Sequence, residues 1–243
     1  MLVSNYQIVK SRNFSDYRVV GNFQQTIGVF NIRNVDEIII LDIDSSKKSS
    51  GINLEVLKFL SKYNIMPLSY GGGINTLEDI SACLKLGCDK IVLNSKIIED
   101  ESFIKKASEE FGSQCIVASI DLIKKKDEIK IFSHKNNKVI DKSIYSFLEK
   151  LQKDGAGEIL INSYDNDGVM NGYDTDLINK IQNYVEIPLM VAGGCGNPKH
   201  IADVLKKDVD AACAGSIFFY TEYGYGEIKD HLIKEKINVR PKN

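Results

Sequence analysis

The sequence has no excess of charge of either sign: 31 Lys and Arg stand against 33 Asp and Glu, a formal net charge of -2. Such a chain presents no general field to nucleic acid or an anionic membrane, and neither is expected as a partner. Long apolar runs are missing too. Stretches such as Ile38-Ile39-Ile40-Leu41 stop far short of the roughly 20 residues a spanning helix needs. Met1-Leu2-Val3-Ser4 has neither the basic region nor the apolar core of a signal peptide, so a cytoplasmic protein is expected. Paired cysteine spacings are absent. Cys83, Cys88, Cys115, Cys195 and Cys213 are odd in number and read as buried free thiols. Cys195, inside Gly193-Gly194-Cys195-Gly196, falls in a loop fit for function, but no base lies near it in sequence and it is a weak nucleophile candidate. No metal-ligand spacing or cofactor fingerprint is read, and neither group is expected.

What the chain does have is an α/β rhythm. Apolar residues make up 43% of its 243 residues, enough for one large core, and a single domain over 1–243 is expected. Runs of β-branched residues predict strands at Glu37–Asp42, Met66–Tyr70, Lys90–Asn94, Cys115–Asp121, Glu158–Ser163, Pro188–Ala192 and Asp210–Ala214, with a weak first strand near Met1–Lys10. Between them Asn53–Tyr63, Thr76–Leu86, Glu99–Phe111, Ser143–Asp154, Asp174–Tyr184, Pro198–Lys207 and Gly226–Lys236 carry apolar residues at helical spacing. Alternation of this kind is the mark of repeated βα units and a parallel sheet. Ile129–Ile140 breaks the rhythm around Asn136-Asn137 and reads as a hairpin inserted after strand five.

The chain also repeats itself. Glu37–Ser95 lies over Glu158–Ser216 at a constant shift of 121 residues: Asp44 meets Asp165, Pro67 meets Pro188, Gly72-Gly73 meets Gly193-Gly194, Asp89 meets Asp210, and Ser95 meets Ser216. A half-chain repeat of four βα units predicts two half-barrels closed into an α/β (β/α)8 TIM barrel, with equivalent loops on opposite sides of one mouth.

Tyr70-Gly71-Gly72-Gly73-Ile74 follows a strand and precedes a helix that Asn75 or Thr76 is placed to cap. Glycines there let backbone N–H groups approach an anion, and the helix N-terminus adds partial positive charge. Asn94-Ser95 ends the next strand and supplies further donors. The repeat makes Ala192-Gly193-Gly194 and Gly215-Ser216 a second cradle, and barrels often bind phosphate after strands seven and eight. The plainer reading, glycines that merely permit tight turns, is outweighed by two such loops in register. Carboxylates gather at the same strand ends: Asp42 and Asp44, Asp121, Asp165 and Asp167. Asp121 stands out because it closes the apolar run Ile116-Val117-Ala118-Ser119-Ile120, and an acid or base between phosphate anchors suits barrel chemistry.

With Lys90…Asn94-Ser95, Ser119-Ile120-Asp121, Gly155-Ala156-Gly157-Glu158-Ile159-Leu160, Asp165-Asn166-Asp167-Gly168, Gly172-Tyr173-Asp174-Thr175 and Ile237-Asn238-Val239-Arg240, the chain resembles the cyclase subunit of imidazole glycerol phosphate synthase from Glu37 onward. The resemblance implies a barrel that takes ammonia from a glutaminase subunit, through its core, to cleave and cyclise a bisphosphorylated ribulose-type precursor. It implies phosphate roles for Gly73, Asn94, Ser95, Asp167, Gly168, Gly194 and Ser216, beside Gly72, Gly193 and Gly215. It assigns Asp121 to acid/base chemistry, Lys10 to a flexible loop after strand one, and Glu37, Lys90 and Glu158 to a charged ring at the ammonia entrance on the N-terminal face.

The start departs from the family. Aligning Gln7-Ile8-Val9-Lys10 puts Leu2 where the family has a catalytic Asp, and an Arg of the charged ring would fall ahead of Met1. The internal repeat likewise puts the mate of Asp121 one residue before the chain begins. Loss of one such group costs roughly 10²–10⁴-fold in rate. Barrels associated with sugar amidation in surface-glycan pathways resemble this chain more closely: they carry an apolar residue there, a Tyr-Gly-Gly-Gly-Ile loop like Tyr70–Ile74, an Asp-Ile-Asp like Asp42–Asp44 and an Ala-Gly-Ser-x-Phe like Ala214–Phe218. That branch implies ammonia handed to a separate sugar amidotransferase. A working cyclase of histidine biosynthesis and a sugar-phosphate isomerase are the other readings; the trio Glu37, Lys90 and Glu158 has no evident use in the isomerase.

Overall fold

The computed structural model describes residues 1–33, 35–48, 51–126 and 128–240. The chain divides into two compact units, Met1–Lys10 with Arg18–Ala118 and Asp154–Gly157, and Ser11–Tyr17 with Ser119–Lys153 and Glu158–Asn243.

In the first unit β1 (Leu2–Ser4) leads into β2 (Gln7–Arg12) and β3 (Ser15–Asn22), whose hairpin tip Ser11–Tyr17 belongs to the second unit, and these are followed by β4 (Ile38–Asp42), β5 (Leu68–Gly71), β6 (Lys90–Leu93) and the start of β7 (Ile116–Lys125). Parallel pairing runs β1, β4, β5, β6, β7, with Leu2 opposite Leu41, Ile38 opposite Leu68, Ser69 opposite Lys90 and Ile91 opposite Ile116. The weak first strand is thus three residues long, and β2 turns back on it antiparallel, Val3 opposite Ile8. Helices Phe23–Arg33, Leu54–Tyr63, Leu77–Lys85 and Phe103–Phe111 follow successive parallel strands. Their inward residues, among them Ile27, Leu57, Leu60, Ile80 and Ile104, are fully buried.

The second unit takes the end of β7, then β8 (Glu128–Ser133), β9 (Lys138–Ile140), β10 (Glu158–Ser163), β11 (Leu189–Ala192) and β12 (Ala211–Cys213). β7, β10, β11 and β12 lie side by side. The expected hairpin is larger than Ile129–Ile140: β7 runs on to Lys125, and β8 pairs antiparallel with both β7 and β9. In the helix Ile144–Lys153 the buried residues are Ile144, Phe147, Leu148 and Leu151, an i, i+3, i+4, i+7 stripe. Among the described residues no helix is long and apolar enough to cross a membrane.

The 121-residue repeat is preserved bond by bond. Ile38 N donates to Pro67 O and Ile159 N to Pro188 O, both at 2.9 Å. Leu68 N donates to Asp89 Oδ2 and Leu189 N to Asp210 Oδ2, both at 2.8 Å. Asn53 and Asp174 cap their helices by accepting from the third residue on, and Thr76 and Asn197 do the same. Residues repeat in the sequence where a specific backbone group must be met.

Candidate functional site

In the first unit the loop after β5 carries Gly72 and Gly73 at φ 113° and 74°. A Cβ on Gly72 would stand 2.2 Å from Asp42 O, and one on Gly73 2.2 Å from Gly51 O. Both obstacles are backbone, so glycine is required sterically before any ligand is considered. Asn75 Nδ2 donates to Gly73 O at 2.8 Å, and Asn75 N and Thr76 N both donate to Asp79 Oδ2, which fixes the loop against its helix. Asn94 and Ser95 end the adjacent strand β6, and Ser95 opens the short helix Ser95–Glu99. The residues expected to form the first cradle therefore lie after neighbouring strands.

The second unit repeats it. Gly193 and Gly194 sit at φ 94° and 105°, and a Cβ on Gly194 would meet Gly172 O at 2.0 Å. Gly172 N donates to Gly194 O at 2.8 Å, and Asn166 Nδ2 to Gly172 O at 3.0 Å. Gly215 and Ser216 follow β12; Ser216 is buried and opens Ile217–Tyr220. Asp167 and Gly168 lie in the loop after β10, under the tip of the β2–β3 hairpin. Ser11 Oγ donates to Asp167 Oδ2 at 2.8 Å, Asn13 N to Asp167 O at 2.9 Å, and the backbone of Ser11 passes where a Cβ of Gly168 would be. Phe14 stacks on Tyr164 at 5.2 Å and lies 4.1 Å from His134, ring centre to ring centre. Burial, then the charges of Asp167 and Asp121, raise the pKa of Tyr17 on the same hairpin. Lys10 lies within β2, so the segment after strand one is a β-hairpin.

His200 braces the second cradle. Its Nδ1 accepts from Gly196 N at 3.2 Å and its own N–H donates to Asn197 Oδ1. Burial lowers its pKa; Asp203 opposes and Lys199 adds to that shift. A depressed folded pKa means that stability is present above the unfolded value, about 6.5, and is lost as pH falls through the folded one. Protonation turns Nδ1 from acceptor to donor against Gly196 N–H. We expect the Gly196 amide to lose exchange protection on acidification below that range in the wild-type protein, and a His200→Gln variant to show no such pH-dependent loss.

The carboxylates divide by use. Asp42 is buried and accepts from Ser45 N at 2.9 Å and Asn53 Nδ2 at 3.1 Å. Asp44 accepts from Ser4 Oγ and Asn5 N, both at 2.9 Å, and Asp165 from Lys124 N at 2.8 Å. These three tie strand ends and loops. Asp121, 5% exposed, accepts from Asn162 Nδ2 at 3.2 Å. Tyr164 N donates to Leu122 O at 2.8 Å, which sets Leu122 beside Ser163 and Asp121 beside Asn162. In the first unit Leu41 N donates to Met1 O and Leu2 lies beside Leu41. Leu41 is the repeat mate of Asn162, so the mate of Asp121 is Leu2. This corrects the position before the chain expected from a uniform shift: between β1 and β7 the offset is two residues shorter. Where one unit has a hydrogen-bonded Asp and Asn, the other has two leucines, and a Cβ on Gly71 would meet Leu41 Cδ2 at 2.9 Å.

At the opposite end of the strands Lys90 Nζ lies 2.9 Å from Glu37 Oε2, both side chains about a quarter exposed, and Ser69 Oγ donates to Glu37 Oε1. Glu158 begins β10 in the second unit. The sequence points to Glu37, Lys90 and Glu158 but not to Ser69 or Asn162; the signal for Asn162 is its mate, Leu41.

A family model described as histidine biosynthesis protein matches residues 2–224. The chain belongs to that family. A Campylobacter jejuni protein, named provisionally as imidazole glycerol phosphate synthase subunit hisF2, is 43% identical over 99% of this chain and 96% of its own length. A Vibrio vulnificus protein with the same provisional name is 38% identical over 96% of the chain and 86% of its own length. Imidazole glycerol phosphate synthase subunit HisF of Clostridium botulinum strain 657 is 38% identical over 96% of the chain and 94% of its own length. Within the histidine-biosynthesis family this is therefore a HisF-like subunit of the imidazole glycerol phosphate synthase type, and its fold class is α/β of the (β/α)8 barrel kind, four βα units in each half.

Proposed function

We propose that this HisF-like subunit binds phosphorylated ligands at its two glycine cradles and receives ammonia from a glutaminase partner, while its own cyclisation chemistry is impaired. The ammonia then serves a sugar amidotransferase in surface-glycan synthesis. The observation that carries this reading is the replacement of an acid by Leu2 beside Leu41, against the Asp121–Asn162 pair at the equivalent place. Leu2 cannot share acid/base work with Asp121. The hisF2 names of two relatives fit a second, specialised copy of the subunit. The phosphate roles of Gly72, Gly73, Gly193 and Gly194 are supported by two turns of consecutive positive-φ glycines, where backbone N–H groups can serve an anion; those of Asn94, Ser95, Asp167, Gly168, Gly215 and Ser216 rest on the resemblance and on their places after the strands. A working cyclase of histidine biosynthesis is the second reading, favoured by Asp121 in its buried, hydrogen-bonded setting. The two part on turnover of the bisphosphate precursor with ammonium.

The partner is testable separately. Glu37 and Lys90 form a half-buried ion pair at the N-terminal ends of the strands, where the resemblance places the ammonia entrance with Glu158. Co-expression with a glutaminase from the same gene cluster should yield a complex in which glutamine hydrolysis is at least ten-fold faster than in the free glutaminase. In that complex Lys90→Ala should leave hydrolysis in place and release its ammonia to bulk solution. Failure to form any complex overturns the glutaminase claim; a complex in which Lys90→Ala changes nothing removes Lys90 from the gate.

A further inference from the structure

Asn162 is used on one side of its amide only. Its Nδ2 donates to Asp121 Oδ1, whereas its Oδ1 is buried with no hydrogen-bond partner among the described residues. A buried acceptor left unmatched is costly and calls for a reason. The oxygen lies 3.2 Å from where a Cβ of Gly193 would be, so it stands against that cradle glycine, and a side chain there would crowd it. In the other unit the equivalent residue is Leu41, packed against Gly71. Folding of this strand end therefore does not call for a polar side chain: an apolar residue serves the same backbone geometry 121 positions earlier.

We propose that Asn162 is a positioning and ligand-selecting residue of the second cradle: its amide N–H fixes Asp121, and its amide oxygen accepts from a hydroxyl of a bound polyol phosphate. An amide suits both tasks, because it carries donors and an acceptor on one rigid plane. The Asp121 oxygen not held by Asn162 is then aimed by the same plane. A ligand consisting of phosphate alone reaches the glycine N–H groups but has no hydroxyl-bearing carbon chain to bring to Asn162. The inference rests on the reading that this cradle takes a phosphorylated ligand, and it names the ligand's second recognised group.

The test uses the full-length protein and two probes, inorganic phosphate and D-ribose 5-phosphate, titrated calorimetrically. Asn162→Leu copies the residue of the other unit; if its thermal melt shows a misfolded protein, Asn162→Ser replaces it. The variant should lose about ten-fold in affinity for ribose 5-phosphate, the value of one good hydrogen bond, and stay within about two-fold of wild type for phosphate. In an Asp121→Asn background the same substitution should cost less than it does alone, since residues acting as a unit are not additive. Equal losses for both probes, no loss for either, or full additivity with Asp121→Asn overturns the role of Asn162 while leaving phosphate binding intact. Wild-type protein that binds neither probe overturns the phosphate reading and this inference with it.

Discussion

Replacing Gly194 with alanine is expected to unfold the second cradle and to cost the protein a large share of its stability. The added Cβ would stand 2.0 Å from Gly172 O and 3.2 Å from Asn166 Cβ, at a φ of 105°. No flexible side chain can yield there. The carbonyl in the way belongs to a residue that itself donates back to Gly194 O at 2.8 Å, so relief of the clash breaks a second bond. Strain plus backbone displacement puts the cost at roughly 3 kcal/mol or more, a fall in Tm of about 6–12 °C for a chain of this size. Affinity for phosphate at that cradle should fall with it. Gly28→Ala is the matched control. It lies inside the helix Phe23–Arg33, and an added Cβ meets nothing within 4 Å, so the same substitution should stabilise by about 1 kcal/mol. A Gly194→Ala protein as stable as wild type would contradict the close approach on which the cradle depends.

The parts of this fold legible in the sequence are those where one residue type answers one backbone demand. Pro67 and Pro188, Asp89 and Asp210, the caps Thr76 and Asn197, and the paired glycines recur at a fixed shift because the same carbonyls and N–H groups must be met in each half. The beginning of the chain was obscure for the converse reason. Its turns, Asn5-Tyr6 and Asn13-Phe14, hold two successive residues at positive φ, a conformation that sequence usually announces with Asn-Gly. At the second turn, stacking of Phe14 on Tyr164 and two hydrogen bonds from Asn13 Nδ2 to the carbonyls of Tyr164 and Asp165 offset the missing glycine. The helix Phe23–Arg33 escaped notice because Gly28 interrupts it and Ile32, 87% exposed, spoils its apolar stripe. In the candidate site, Asp121 declared itself by ending an apolar strand, but Asn162 did not, since a polar residue at a strand end is unremarkable until its repeat mate is seen to be leucine.

The largest effect expected is on the cyclisation reaction itself. In the first unit the place equivalent to Asp121 is held by Leu2, beside Leu41. No ionisable group stands at either of the two positions, and neither side chain can give or take a proton. With one of two acid/base groups gone, the rate falls by roughly 10²–10⁴-fold relative to a complete site. Binding is not expected to fall in step, because the glycines of both proposed cradles are present. The decisive measurement is turnover of the bisphosphorylated ribulose-type precursor by the unmodified protein at saturating ammonium, which removes any dependence on a glutaminase. A rate at least about 100-fold below the typical enzyme value of about 10 s⁻¹ is expected; turnover near that value would contradict the impaired chemistry and return the protein to histidine biosynthesis as a working cyclase.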